Sequence, residues 1–131
     1  MGRLDNNLKI GNEKHFATEL ITMNEVLKTI GGKWKLKLIL ALTHGDKRFN
    51  ELKTFVIGIS PRALSKELKE LERDGLVKRL VYDEPVLLVN YQLTEIAWKL
   101  NGVIRELTSW CAWYKEAFLE SQPNDWSHEV M

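Results

Sequence analysis

The chain has 131 residues, 44% of them hydrophobic and 28% charged, a composition typical of one globular domain rather than of a disordered tail. The net charge of +1 does not by itself indicate a nucleic-acid partner, and the single cysteine, Cys111, excludes an internal disulfide. The apolar runs are far shorter than the ~20 residues of a membrane span, and the first ten residues lack a secretory core, so we expect a cytoplasmic protein with no membrane partner.

The charge is unevenly distributed along the chain. Residues 28–82 contain thirteen Lys/Arg and six Asp/Glu, a net +7, whereas the remaining residues carry a net −6. A basic segment is most often a solvated face. It favours a polyanionic partner only if its cations lie together on one side of a folded element.

The first predicted elements are an N-terminal arm over residues 1–20 and a helix after it. The arm shows no regular apolar period. Thr22 and Glu25 have the spacing of a capping box, which predicts that the first helix begins there. Gly31-Gly32 predicts its end.

Two further helices are predicted before residue 60. The second covers about residues 33–43 and is closed by Gly45 as a glycine C-cap. The third is short, with apolar residues from Phe49 to Val56, and Gly58 marks the turn after it.

The fourth helix has the clearest boundaries. Ser60 is a good N-cap and Pro61 suits the first helical position, where its missing N–H has no partner in any case. Three leucines at spacings of four and three predict a buried stripe, and Gly75 predicts the end. The leucines are Leu64, Leu68 and Leu71.

After Gly75 the sequence pattern changes from that of helices to that of strands. Residues 77–82 and 86–93 are rich in β-branched and aromatic residues and predict a two-stranded hairpin. Thr94 is a candidate cap for one long helix over residues 95–119, and residues 120–131 are predicted to form an acidic tail. The predicted fold is therefore α+β, mostly helical, with a winged helix-turn-helix domain over residues 21–119.

The fourth helix carries four cations on one face. Arg62, Lys66, Lys69 and Arg73 follow each other at spacings of four, three and four, roughly opposite the leucine stripe. Burying the leucines would therefore expose a positive ridge about 16 Å long. This holds although residues 60–74 contain equal numbers of acids and bases. Taken alone, this pattern favours a solvated amphipathic face over a DNA-binding one.

The order of the elements favours DNA as the partner of this ridge, because the second helix of a helix-turn-helix enters the major groove. We assign five residues to the major groove: Ser60, Arg62, Ser65, Lys66 and Lys69. We assign four to the phosphate backbone: Arg48, Arg73, Lys78 and Arg79. The other lysines upstream, among them Lys35, are interpreted as solvated.

Several short motifs in this order resemble the HxlR-type winged helix-turn-helix regulators of bacteria and archaea. They are Ile30-Gly31-Gly32-Lys33-Trp34, Arg48-Phe49-Asn50-Glu51-Leu52, Gly58-Ile59-Ser60-Pro61-Arg62, Asp74-Gly75-Leu76-Val77 and Tyr91-Gln92-Leu93-Thr94-Glu95. The resemblance implies a homodimeric DNA-binding transcriptional regulator.

The chain departs from this family in two places. Many members carry a redox-sensing cysteine where this chain has Ile21, so thiol sensing by that route is not expected, and Cys111 is interpreted as a packing residue. The hairpin tip has Asp83-Glu84 and apolar residues instead of a basic pattern. We therefore assign no base contact to it.

The last helix carries a heptad-like apolar seam that we interpret as a dimer interface. Its residues are Ile96, Leu100, Val103, Leu107, Trp110 and Tyr114. An adjoining strip contains Ala97, Ile104, Cys111 and Phe118, which makes the apolar face wider than one small domain needs. Trp98 and Trp113 lie off the seam and either line an effector pocket or pack against the N-terminal arm.

No catalytic set is found. His15, His44 and His128 are far apart, and no phosphate-binding loop or nucleophile elbow is present, so we expect neither an enzyme nor a cofactor or metal. The function that fits best is a homodimeric repressor that binds a pseudo-palindromic operator in double-stranded DNA, with an unidentified small-molecule effector left open. The alternative is a winged-helix module that contacts another protein and no DNA.

Overall fold

The computed structural model describes residues 9–120, with the side chains from Glu13 onward. The chain forms two compact units, one up to Gly32 and one from Lys33 on. The second unit holds the winged-helix elements. Most of the predicted acidic tail lies outside the described residues, and the division of the chain into arm, domain and tail stays a prediction.

The first unit consists of one helix, α1 (Lys9–Ile30). The prediction that the first helix begins at Thr22 is wrong, because Thr22 lies well inside α1. Residues 13–28 are all exposed, and the helix continues on the N-terminal side of Thr22 through Phe16 and Leu20, whose spacing of four is helical. The predicted end is correct, since Gly32 follows with a φ of +90°.

The second unit begins with a three-helix arrangement and a hairpin. Its helices are α2 (Lys35–Leu42), α3 (Phe49–Phe55) and α4 (Pro61–Arg73). The hairpin strands β1 (Val77–Tyr82) and β2 (Leu88–Leu93) pair in antiparallel fashion with Val77 opposite Leu93 and Tyr82 opposite Leu88. This order is that of a winged helix-turn-helix, as predicted, although β2 begins two residues later than expected.

The core of this unit lies between the three helices and the base of the hairpin. The fully buried side chains are Leu38, Ile39, Leu42, Leu52, Leu64, Leu68 and Leu71. Each stabilises the fold by roughly 1.5–3 kcal/mol relative to an exposed side chain. A bridge between Lys47 and Tyr91, with N···O distances of 3.1 and 2.7 Å, joins the segment before α3 to β2.

The predicted single helix over residues 95–119 is interrupted. Thr94 Oγ1 accepts a hydrogen bond from the Ala97 N–H at 3.2 Å and caps α5 (Glu95–Trp98), which then ends in a turn at residues 99–100. α6 (Asn101–Tyr114) follows, and a π-helical turn, Lys115–Leu119, extends it. The break directly precedes Asn101-Gly102, the first two residues of α6, and both residues are unfavourable in a helix interior.

Candidate nucleic-acid interface

Capping at both ends fixes where α4 begins and ends. The Ser60 Oγ accepts a hydrogen bond from the Ala63 N–H at 3.0 Å, and Pro61 occupies the first helical position, as predicted. At the other end Gly75 has a φ of +79°, and the Leu76 N–H donates to the Leu71 carbonyl at 2.9 Å. This bond and that from the Gly75 N–H to the Glu72 carbonyl form a Schellman motif.

The two faces of α4 differ as the sequence predicts. All three leucines of the predicted stripe are buried, whereas Arg62, Lys66, Lys69 and Arg73 are all exposed. Ser65 is half-buried on the same helix. The positive ridge therefore stands free of the core of this unit.

An ion-paired lysine from α2 binds two of the three acids of α4. The Lys35 Nζ lies 2.8 Å from Glu67 Oε1 and 2.6 Å from Glu70 Oε1, and Lys35 is only 7% exposed. The interpretation of Lys35 as a solvated lysine is wrong. Its position could have been found from the sequence, because it precedes Leu38, Ile39 and Leu42 at helical spacing on the buried face of α2.

The pKa values of this cluster follow from the pairing. Burial opposes the charge of Lys35, but the hydrogen bonds and charges of Glu67 and Glu70 outweigh it and raise the pKa of the ammonium above its ordinary value. The hydrogen bond from Lys35 lowers the pKa of Glu70, against the opposing effect of desolvation. The charge of these carboxylates is thus compensated from the side of α2.

The four cations of the ridge differ in how free their charges are. Within residues 9–120, Arg62 and Lys69 have no ion-pair partner. Lys66 lies 3.4 Å from Glu70 and 3.8 Å from Glu67, so its charge is shared.

Arg73 is paired along the chain. It donates to both Asp74 oxygens at 3.1 Å. This hydrogen bonding raises the pKa of Arg73 and lowers that of Asp74. The free positive charge of α4 is therefore concentrated in its first two and a half turns, where Arg62 and Lys69 lie.

The ridge also has a shape that can receive a ligand. A shallow surface cavity of about 530 Å³ is lined by Arg62, Ser65, Lys66, Lys69 and Glu70. Four of the five residues assigned to the major groove thus line one depression, and the fifth, Ser60, is engaged as the N-cap.

The residues predicted to contact the phosphate backbone lie on other elements. Arg48 lies directly before α3, and its backbone N–H donates to Glu51 Oε1 at 2.8 Å. Lys78 and Arg79 are exposed neighbours on β1, opposite Gln92 and Tyr91. Because successive strand residues alternate, they point to opposite faces of the hairpin.

The predicted dimer seam is largely uncovered in the single chain. Ile96 is 67% and Val103 60% exposed, and Leu107 and Trp110 are also exposed, whereas Leu100 and Tyr114 are half-buried. Ala97 and Ile104 of the adjoining strip are buried against the core. Cys111 is exposed, so within its own chain it is not the packing residue that was expected.

The aromatic residues of α6 form a stack along the helix. The rings of Trp110 and Tyr114 stack at 4.9 Å between centroids, and those of Tyr114 and Phe118 at 5.2 Å. Trp98 and Trp113 are exposed. The two interpretations of these tryptophans, an effector pocket or packing against the N-terminal arm, both stay predictions.

An apolar stripe on α1 was not anticipated from the sequence. Phe16, Leu20, Met23 and Leu27 follow each other at spacings of four, three and four, and all four are exposed. The spacing itself was the available signal.

Other kinds of site find little support in the described part of the chain. Within residues 9–120, no helix combines the length and apolar character that crossing a bilayer requires. The same residues bring no three His, Cys, Asp or Glu side chains together in a way that could hold a metal ion.

Comparison of the sequence with known proteins gives consistent matches. A family model described as HxlR-like helix-turn-helix matches residues 29–118. YtcD of Bacillus subtilis, named an HTH-type transcriptional regulator, is 40% identical over 92 residues, which are 70% of this chain and 73% of YtcD. An HTH-type transcriptional regulator of Methanothermobacter thermautotrophicus is 37% identical over 106 residues, 81% of this chain and 76% of the relative.

Solved structures also resemble the chain. The structure of the HTH-type regulator YtcD matches with a TM-score of 0.68 at 38% identity, covering 72% of this chain and 96% of that one. The reduced form of the redox regulator HypR matches with a TM-score of 0.69 at 37% identity, covering 77% and 99%. The family match includes the whole of α4 and the hairpin.

Proposed function

The chain belongs to the HxlR-like helix-turn-helix family and is a transcriptional regulator of the winged-helix type, and from this premise we propose that it represses transcription as a homodimer on a specific operator. One observation carries the proposal. α4 buries its leucines and holds Arg62 and Lys69 outside the core without ion pairs among residues 9–120, in a depression that also contains Ser65 and Lys66.

The chemistry of this depression fits the edges of bases and their phosphates. Arginine and lysine donate to the O6 and N7 atoms of guanine, and a hydroxyl such as that of Ser65 serves either base type. Lys69, and Lys66 with the part of its charge that Glu67 and Glu70 do not compensate, neutralise phosphates along the major groove of DNA and release counterions. We assign Arg48 and one of Lys78 and Arg79 to flanking phosphates, and Arg73 contributes less because it must leave Asp74.

Two exposed apolar stripes support the homodimer. The α6 seam and the α1 stripe both carry large side chains in contact with water, and such patches mark protein–protein contacts. A twofold dimer formed through the α6 seam would present two copies of α4. Helix-turn-helix dimers of this kind bind half-sites about 34 Å apart, one turn of DNA, so we expect an inverted-repeat operator.

Redox regulation, which HypR performs, is not part of this proposal. The chain has one cysteine, Cys111, on α6, and the resemblance to the family places Ile21 where many members carry the sensing cysteine. The proposal therefore includes no thiol sensing at that position.

The test is a charge reversal on α4. The probe is a duplex selected from a random-sequence pool by the full-length wild-type protein. Lys66→Glu/Lys69→Glu should lower affinity for it more than about a hundredfold, because two phosphate or base contacts are replaced by repulsion. Lys14→Glu/Lys99→Glu, which makes the same change in charge on exposed lysines outside α4, is the control and should change affinity far less.

Sedimentation of both variants should show an unchanged dimer, since neither pair lies on the seam. Equal affinities of the two variants would remove the DNA-binding assignment of α4. Failure of the wild-type protein to enrich any duplex would favour the alternative of a protein-docking module.

A further inference from the structure

The hairpin tip carries surface that the proposed DNA contacts do not use. Val86 is 61% and Leu87 65% exposed, and Val81 and Tyr82 beside them are also exposed. Asp83 and Glu84 are exposed at the same tip and have no ion-pair partner among the side chains described from Glu13 to Glu120. Carboxylates are repelled by phosphates, so this tip suits a protein surface better than a DNA groove.

A groove with the opposite charge lies between α2 and the end of α3. It has a volume of about 640 Å³ and an apolar floor with exposed Ile57 and Phe55 at its edge. Three basic side chains line it, Lys37, His44 and Lys47. The Lys47 Nζ is held 4.2 Å from the centroid of the Phe55 ring, which keeps one ammonium group at the groove.

We propose that the hairpin tip of one copy docks into this groove on a neighbouring copy. Apolar side chains flank an acidic pair on the tip, and apolar side chains flank basic residues in the groove, so both the buried surface and the charges match. The proposal rests on the proposed function, because it concerns two copies that DNA holds side by side.

The tip does not fill the groove of its own chain. None of the residues that line the groove belongs to the hairpin. The bridge between Lys47 and Tyr91 fixes the hairpin beside the groove, and Tyr82 and Leu88 pair three residues further along the strands. The tip therefore projects about 10 Å beyond this bridge.

Each copy has one tip and one groove, so the contact is head-to-tail and can be repeated along DNA. Few side chains take part, and the buried area is therefore below the roughly 1,200 Å² of a stable complex. Such a contact forms when another interaction raises the local concentration of the partners. Its expected consequence is cooperative occupation of adjacent operators.

The first experiment replaces the local concentration that DNA provides by a high concentration of free protein. Two full-length proteins, Leu87→Cys and Ile57→Cys, each with Cys111→Ala, are mixed at high concentration and treated with a short bismaleimide. We expect a cross-link between tip and groove that increases with protein concentration and is lost when the tip also carries Asp83→Lys/Glu84→Lys. The control pair is Leu87→Cys with Lys99→Cys, which lies outside the groove.

A cross-link no stronger than the control overturns the proposal. So does a cross-link that is independent of concentration, because it would arise inside one dimer. An unchanged yield in the presence of millimolar benzoate supports a protein occupant, whereas complete loss at that concentration would assign the groove to a small anion and overturn the docking of the tip.

The second experiment measures cooperativity on duplexes with one and two copies of the selected site. The wild type should bind the second site about tenfold more tightly than the first. Asp83→Lys/Glu84→Lys should abolish this factor, and adding Lys37→Glu/His44→Glu should restore part of it. Independent binding of two sites by the wild type overturns the docking proposal, whereas loss of binding to the single site would concern the DNA-binding proposal alone.

Discussion

At the scale of single residues, Lys35 decides how α4 presents its charge. It binds Glu67 and Glu70 on the core side of the helix. The negative charges of these two acids therefore compensate the buried ammonium as well as the exposed cations of the ridge. An ammonium with so little exposure requires such partners. Residues 60–74 contain equal numbers of acids and bases, and the outer face of α4 is nevertheless positive.

Replacing Lys35 should reduce the stability of the fold. Lys35→Met leaves two neighbouring carboxylates without their buried partner, and we expect a loss of about 1–3 kcal/mol in the free energy of unfolding, measured in urea. Lys37→Met, on the same helix but less buried, is the control and should stay within about 0.5 kcal/mol of the wild type. An equally mild effect of both substitutions would contradict the role of Lys35.

The loss of unfolding free energy caused by Lys35→Met should depend on pH with a defined sign. The raised pKa of Lys35 means that its contribution is complete below the unfolded value of about 10.4 and is lost as pH rises through the folded value. The lowered pKa of Glu70 means that its contribution is present above about 4.3 and is lost as pH falls through the folded value. The difference between wild type and Lys35→Met should therefore be largest between these limits.

At the scale of elements, the ends of α4 are determined locally. Ser60 and Pro61 begin the helix, and Gly75 ends it with a positive φ that permits both Schellman hydrogen bonds. Leu76, directly after Gly75, is buried together with Leu71. The cap therefore sets both the length of α4 and the direction in which the chain enters β1.

Substitution of Gly75 tests this cap. A Cβ at this position meets no neighbouring atom within 4 Å, so the cost comes from the backbone alone. Gly75→Ala should destabilise the protein by about 1–2 kcal/mol, and Gly75→Asn by less, because asparagine adopts this conformation more readily. Thermal or urea unfolding measures both; an asparagine variant less stable than the alanine variant would contradict the backbone origin of the cost.

At the scale of the whole molecule, the proposed assembly determines how strongly DNA binding depends on salt. Each protomer offers about four cations to phosphates: Arg48, Lys66, Lys69 and one of Lys78 and Arg79. Affinity falls with salt in proportion to the phosphates neutralised, with a slope of about −0.9 per contact in a plot of log affinity against log salt. A dimer thus uses twice the contacts of one chain.

We expect a slope of about −7 for the wild type on the selected duplex. Leu107→Asp, which places a charge on the exposed α6 seam, should give a monomer with about half this slope. Titration by fluorescence anisotropy at several salt concentrations, with sedimentation of the same samples, measures both. A full slope from a monomeric variant would contradict binding through a twofold dimer.

Local signals in the sequence were sufficient for most of the second unit. The caps of α4, the leucine stripe and the change of period after Gly75 each involve residues within a few positions of one another, and all were predicted correctly. The break between α5 and α6 also had a local signal in Asn101-Gly102. The heptad spacing of the apolar residues continues through Asn101-Gly102 and therefore predicts an uninterrupted helix.

The sequence by itself determined the family resemblance, the order of elements and the face of α4 that carries Arg62 and Lys69, because these depend on spacing along one helix or hairpin. Only the tertiary structure decided that Lys35 is an ion-paired partner of α4 and that Lys37, His44 and Lys47 line one groove with Phe55 and Ile57. The ion pairs of Lys35 join residues more than thirty positions apart, and helical periodicity carries no information about which acid meets which base across two helices.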